Sequence, residues 1–450
     1  MALRQRSLFA TPDQVSITVK SSHDMVVLTK LINWDQLIRI ASLAREKRVK
    51  KLVGPEPRYR PLLGAVALMA LRKIGFRQAE DLIAHYAPAR YLCDLMECDW
   101  TLDHVTIFDF TKMLGDEGLS AINGEILRVA QTHGLLDPSV LMADTTAQEA
   151  KIPYPTEVGL MSRYTSLAAK NLRKLGGKFL PMRGKIKETV KKVKGLVRNA
   201  HLFAKTTEQK RKIARKLYHV VNAFHGQIKG ALKTGHTLSS KAGSEISRLT
   251  EVMSALLPQM LHYLKTGFVA NGKIIHLQMS ELYSMVKGKA GKSAEFGLKW
   301  GINRLGGGFL TGYLYKDGQH VSDTKFCHHA IEQHLQMFSE APKIFGFDRG
   351  GYSKTNINRV KKLGVKHVGI APKGKADWDV SETMSKRIRR ERAQVEGSIG
   401  TIKSAKYGFN KPDARSIPAM ARCGQRAILG FNLQKLIKET IKIQVSQMAN

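Results

Sequence analysis

Apolar residues recur at helical spacing from Asn33 to about Ile122, as in Leu62, Leu63, Val66, Met69 and Ala70, so this first stretch is expected to be all-helical. Gly75 to Leu95 reads as one helix, and Thr101-Leu-Asp-His104 offers cap residues for a second from Val105 to Leu114. Such a pair is a helix-turn-helix or an ordinary helical hairpin, and spacing alone leaves both open. Val140-Leu-Met-Ala-Asp144 is a short apolar run ending in an acid, the pattern of a buried strand with a carboxylate at its tip. A helix is expected over Ser244 to Leu264. The period then shortens: Lys273 to Gln278 reads as a strand, and Ala294 to Ile302 with Gly308 to Tyr315 reads as a hairpin turned by Gly306-Gly-Gly308. Thr324 to Phe338 returns to helical spacing, and Lys343 to Asp348 is a strand ending in a second acid. Lys354 to Leu363 is a helix leading to the strand Lys366 to Ala371. This alternation predicts a mixed α/β sheet. Ser381 to Lys406 forms a long basic helix, and Ile417 to Thr440 supplies another.

Composition narrows the partners. A chain of 450 residues with 43% hydrophobic content can bury the cores of two or three domains. Its 73 lysines and arginines against 37 aspartates and glutamates give a net charge of +36, which calls for a polyanion: nucleic acid first, a ribosomal or membrane-surface site behind it. The excess peaks between Lys170 and Lys216, where 17 basic and two acidic residues leave a net of +15. Solvated helical faces usually mix both signs, so a helical, DNA-facing insertion is expected, with Lys191, Lys192, Lys194, Lys210 and Arg211 among its phosphate contacts. Residues 1–125 then form a helical DNA-binding domain, 161–267 the basic insertion, and 126–160 with 268–440 the α/β domain. The four cysteines are too few for a disulfide framework, and neither Cys93/Cys98 nor Cys327-His-His329 has a second ligand pair at zinc-finger spacing. Gly291-Lys-Ser293 lacks the earlier glycine of a phosphate-binding loop, since Val286 stands there. Neither a signal peptide nor a spanning segment is expected, the longest apolar run being Leu62 to Leu71; this reads as a cytoplasmic protein.

Two acids at strand ends and a third on a later helix are what a two-metal phosphoryl-transfer site needs, because hard divalent ions take oxygen ligands from several elements at once. Asp144 and Asp348 are the first two. Glu396 is the third: it sits among Arg387, Arg389, Arg390, Arg392 and Lys403, where an acid runs against the local charge. Arg392 lies four residues before it and Lys403 seven after, so the three share a helix face that Glu391 does not. Taken alone, a glutamate beside arginines also fits a surface ion pair.

Met142-Ala-Asp-Thr-Thr146 with Glu149-Ala-Lys-Ile-Pro-Tyr-Pro-Thr156, Gly346-Phe-Asp-Arg-Gly-Gly-Tyr352, and the Arg392, Glu396, Lys403 spacing resemble the three acidic motifs of DDE transposases of bacterial insertion sequences. The helical start, with Leu31-Ile-Asn-Trp-Asp35 and Met113-Leu-Gly-Asp-Glu-Gly-Leu119, is similar to that family's N-terminal region. The resemblance covers most of the chain. It implies a ribonuclease H-like mixed sheet flanked by helices, with Asp144, Asp348 and Glu396 as ligands of two magnesium ions that manganese can replace. It further implies Arg392 and Lys403 as catalytic contacts to DNA phosphate, terminal inverted repeats and target DNA as partners, a homodimer on DNA, and a place at the bacterial nucleoid. Where the family often has tyrosine, three residues before the arginine, this chain has Arg389, itself able to hold a phosphate. A DNA-binding protein derived from such an enzyme, or a nuclease of the same fold, stays open.

Overall fold

The computed structural model describes residues 19–48, 56–175, 182–233, 240–289, 292–315, 322–372, 378 and 380–448. Six helices come first: α1 (Asp24–Leu31), α2 (Trp34–Arg48), α3 (Tyr59–Arg72), α4 (Phe76–His85), α5 (Ala87–Leu92) and α6 (His104–Thr132). The single helix expected from Gly75 to Leu95 is divided, because Tyr86 is extended and Pro88 opens a new first turn. Asp103 caps α6 by accepting from the Val105 and Thr106 amides. That helix runs well past Leu114, across a kink at Gly115, because Leu119, Ile122 and Ile126 continue its buried stripe. These helices have no core of their own: Leu28, Leu63, Leu68 and Ile126 belong to the same apolar cluster as Leu141 and Phe345 of the sheet.

β1 (Asp137–Glu149) is followed by four helices, α7 (Glu157–Leu175), α8 (Arg183–Leu202), α9 (Thr207–Lys233) and α10 (Lys241–Thr266). They close around a separate core that includes Tyr164, Leu217, Phe224 and Met253. Then come β2 (Tyr283–Lys289), β3 (Lys292–Gly306), β4 (Leu310–Leu314), α11 (Asp323–Phe338), β5 (Ile344–Phe347), α12 (Lys354–Lys362), β6 (His367–Ile370), α13 (Glu382–Lys403) and α14 (Ile417–Met448). The segment Lys273 to Gln278 forms no strand. Its apolar residues do alternate, but Ile275 is buried in a core beside the sheet and Leu277 in the helical bundle, so the segment bridges two cores instead of pairing. The strand that pairs there is β2, whose lysines and glycine mask its period. No helix among the described residues is long and apolar enough to cross a membrane.

The chain is thus mixed α/β, with one six-stranded mixed sheet among the described residues, flanked by helices. β1 pairs antiparallel with β3 and parallel with β5, which pairs parallel with β6; β2 and β4 lie along the far edge of β3. Strand alternation sorts the side chains. Leu141, Ala143, Phe345 and Phe347 enter the core shared with the N-terminal helices, whereas Val140, Met142 and Ile344 pack with Ile388 and Val395 of α13. That helix seats closely because two strand positions lack side chains. A Cβ at Gly346 would meet the Met142 sulfur at 2.4 Å, and one at Gly369 would meet Ile388 at 2.6 Å. Replacing Gly369 by valine is therefore expected to lower stability by about 1–3 kcal/mol through overpacking. Denaturant unfolding would read it, and an unchanged midpoint would show that α13 can back away from the sheet.

Candidate active site

Parallel pairing of β1 with β5 brings two acids together. Met142 is in register with Gly346, so Asp144 and Asp348, each two residues further on, stand just past the paired ends of neighbouring strands, and the Asp348 charge is felt at Asp144. Asp144 is not at the tip of its strand, as expected, since β1 continues to Glu149 by pairing with β3. It stands instead where the parallel ladder ends, because the described pairing with β5 stops at Met142. Asp348 is the first residue past β5 and caps the short turn Arg349–Gly351, its Oδ1 accepting from the Gly350 amide at 2.8 Å. The Asp144 Oδ1 accepts from the Thr145 amide at 2.7 Å.

Helix α13 covers this face and delivers the third acid. At roughly 100° per residue, Arg389, Arg392, Glu396 and Lys403 form one stripe beside the buried stripe of Ile388, Val395 and Ile402. Glu391 falls on the other side, where it pairs with Arg304 at 2.9 Å. Glu391 and Glu396 are thus separated by structure as well as by spacing. Glu396 is exposed, and Gly397 and Gly400 leave the adjoining surface of α13 bare.

Charge ties the group together. The Asp144 carboxyl is pushed up to about 6, first by burial, then by the negative charges of Asp348 and Glu396, against a lowering pull from the Thr145 amide and Arg392. Arg392 therefore lies within electrostatic reach of Asp144. Among the described residues no cation stands within 4 Å of Asp144, Asp348 or Glu396, in a chain with about twice as many basic as acidic side chains. They stand apart: among the described residues no three His, Cys, Asp or Glu side chains gather closely enough to hold a metal ion as they are. As a donor set, three hard carboxylate oxygens with excess negative charge suit divalent magnesium or manganese, in an open arrangement that an ion would have to draw in.

The basic side chains expected at the site divide. Arg389 lies over the Trp378 ring at 5.2 Å and is exposed. Lys403 is set against Glu295 of β3 at 3.6 Å, an ion pair that its spacing on α13 did not suggest. Lys191, Lys192, Lys194 and Lys210 are exposed on the bundle, whereas Arg211 folds back over the Tyr263 ring at 5.8 Å. Residues 76–117 carry nine acids and three bases, and Asp81, Asp94, Glu97, Asp99, Asp103, Asp109 and Glu117 are all exposed. The hairpin of α4 and α6 consequently presents a surface that repels phosphate, which favours the structural reading of that helix pair over a base-reading one.

Two residues near the site gave no sequence signal. Asp323, at the start of α11, has its Oδ2 where a side chain on Gly350 would fall, next to Asp348, and it binds Lys299 of β3 at 2.6 Å. Both line a cleft of about 940 Å³ that opens at Thr145 and is bounded by Tyr154, Phe296 and, from the bundle, Tyr263 and Val269. The cysteines do not form a centre: Cys93 and Cys327 are buried, and burial pushes the Cys93 thiol up to about 12. The Gly306 to Gly308 run is a turn, with Gly307 and Gly308 in left-handed backbone. Gly291 lies outside the described residues, and β3, where a phosphate-binding loop requires a helix, begins at Lys292. No protein-family model, curated protein or solved structure matches this chain.

Proposed function

We propose that the chain is a DNA transposase of the insertion-sequence type, and that its α/β domain is a ribonuclease H-like core. The observation that carries this is the placement of Asp144, Asp348 and Glu396, three carboxylates whose charges act together on Asp144 and which have no ion-pair partner among the described residues of a strongly basic protein. A cationic ligand would relieve that charge, and phosphodiester chemistry is what joins such a ligand to a polyanion-binding surface. The mixed sheet, with two acids where its parallel ladder ends and a third on the covering helix, supports the fold assignment.

Asp144, Asp348 and Glu396 would hold two magnesium ions, which supply Lewis acidity for attack on phosphorus and for departure of the 3′ oxygen. Arg392, half-buried beside Asp144, counters the carboxylate charge and faces the phosphodiester that lies over them. The bare surface at Gly397 and Gly400 lets a DNA backbone approach α13 closely. In the first reaction a water oxygen bonds to phosphorus and the P–O3′ bond breaks, the leaving oxygen taking up a proton as the 3′ hydroxyl of the element end. In the second, that hydroxyl oxygen bonds to a target phosphorus while a target P–O3′ bond breaks. One phosphodiester is exchanged for another, so joining needs no nucleotide energy source.

The test is incubation of the purified chain with labelled duplexes made from the DNA flanking its coding region, with and without magnesium. Magnesium-dependent cleavage followed by a joined product is expected. Binding without cleavage would leave a DNA-binding derivative, and cleavage without joining would leave a nuclease.

A further inference from the structure

The basic bundle ends in an apolar tip. Arg215 of α9 donates to the Leu264 carbonyl at 3.0 Å and Arg211 lies over Tyr263, so the start of α9 and the end of α10 share one end of the bundle with the corner between α8 and α9. At that corner Ala200 and Ala204 are buried, which turns Leu202 and Phe203 outward, 58% and 67% exposed. Gly267, in left-handed backbone, stops α10 and sends out Phe268 and Val269, 75% and 61% exposed. Exposed apolar side chains grouped in this way mark a binding surface. Their surroundings say for what: from Lys191 to Lys216 there are ten basic residues and one acidic. The same end borders the cleft that reaches Thr145, Lys299 and Asp323, since Tyr263 and Val269 form part of its wall.

We infer that this end of the bundle is a wedge, Phe203 and Phe268 entering a base step of duplex DNA that the surrounding lysines and arginines hold by its phosphates. Phosphate contacts alone give apolar side chains nothing to do, whereas an apolar wedge unstacks a base step and bends the duplex toward the protein. A basic and apolar tip would also suit an anionic bilayer, but a bilayer seated there would cover the cleft walled by Tyr263 and Val269 that reaches Thr145 and Asp323. The wedge rests on the reading above that duplex DNA is the substrate.

The experiment places 2-aminopurine at successive positions of a short target duplex and follows its fluorescence on binding. Wild type is expected to raise the signal several-fold at one or two adjacent positions. The Phe203→Ala/Phe268→Ala protein should melt at the wild-type temperature, bind within about tenfold of wild type and give no rise. A mismatch at the responsive step should restore joining to that variant. No rise at any position, or an equal rise with the variant, overturns the wedge. So does loss of binding to phosphatidylserine vesicles, or of a DNA-free dimer, with the fluorescence rise intact. Measured on Asp144→Ala protein, the signal reads the wedge alone: a rise where wild type never cleaves keeps the wedge and sinks the transposase, and cleavage without a rise does the reverse.

Discussion

Alanine in place of Asp144, Asp348 or Glu396 is expected to lower the proposed magnesium-dependent cleavage on the order of 10³-fold or more, because groups that together hold one charged transition state act as a unit. Binding of the same duplex without divalent ions moves the other way. Each of these carboxylates stands without a cation within 4 Å among the described residues, beside the place where the proposed function puts a phosphate, so removing one should remove a repulsion and tighten metal-free binding. Glu391→Ala is the control on the same helix. It breaks the ion pair with Arg304, which keeps Gln394 as a partner, and should leave cleavage within about tenfold of wild type. A nuclease assay and a filter-binding titration on the four variants read both effects. Wild-type cleavage by Asp144→Ala, or equal losses for Glu391→Ala and Glu396→Ala, would remove these carboxylates from the chemistry.

That Glu391 and Glu396 of α13 differ was legible in the sequence, because helical phase is set by residue number alone: Glu396 falls in the stripe of Arg392 and Lys403, and Glu391 across the buried stripe. Acids at the ends of short apolar runs were legible for the same local reason. Partners set by the third dimension were not. Lys403 carries no mark of Glu295, which lies 108 positions away on another strand, and Asp323 looks like an ordinary first-turn acid until β5 brings Asp348 beside it. The Lys273 to Gln278 strand failed because alternation assumes one core behind one face; here Ile275 and Leu277, two residues apart, are buried in two different cores. β2 went unseen because its pairing with β3 is set by the hairpin joining them, while its lysines dilute the apolar period. The helix-turn-helix spacing was present in the chain, but spacing does not show which charges reach the surface, and seven acids of residues 76–117 are exposed there.

Asp144→Asn makes the metal-free protein more stable at neutral pH, by about 2 kcal/mol. Burial and the charges of Asp348 and Glu396 raise the folded carboxyl to about 6, above its unfolded value near 4, so folding favours the protonated form. The wild-type protein therefore has that favourable contribution in full below pH 4, loses it as the pH rises toward 6, and lacks it above. Asparagine is neutral throughout, so the gap between the two proteins opens from pH 4 to 6 and then stays constant. Magnesium should reverse it. An ion that binds the folded carboxylates and not the unfolded chain stabilises wild type by about 2.7 kcal/mol at a hundred times its Kd, and the variant, short of one ligand charge, gains much less. Urea unfolding at pH 4, 6 and 8, with and without magnesium, separates the two effects. A gap that does not change with pH would mean that Asp144 is not held under electrostatic pressure, and a gap untouched by magnesium would mean that the three carboxylates do not take up the ion together.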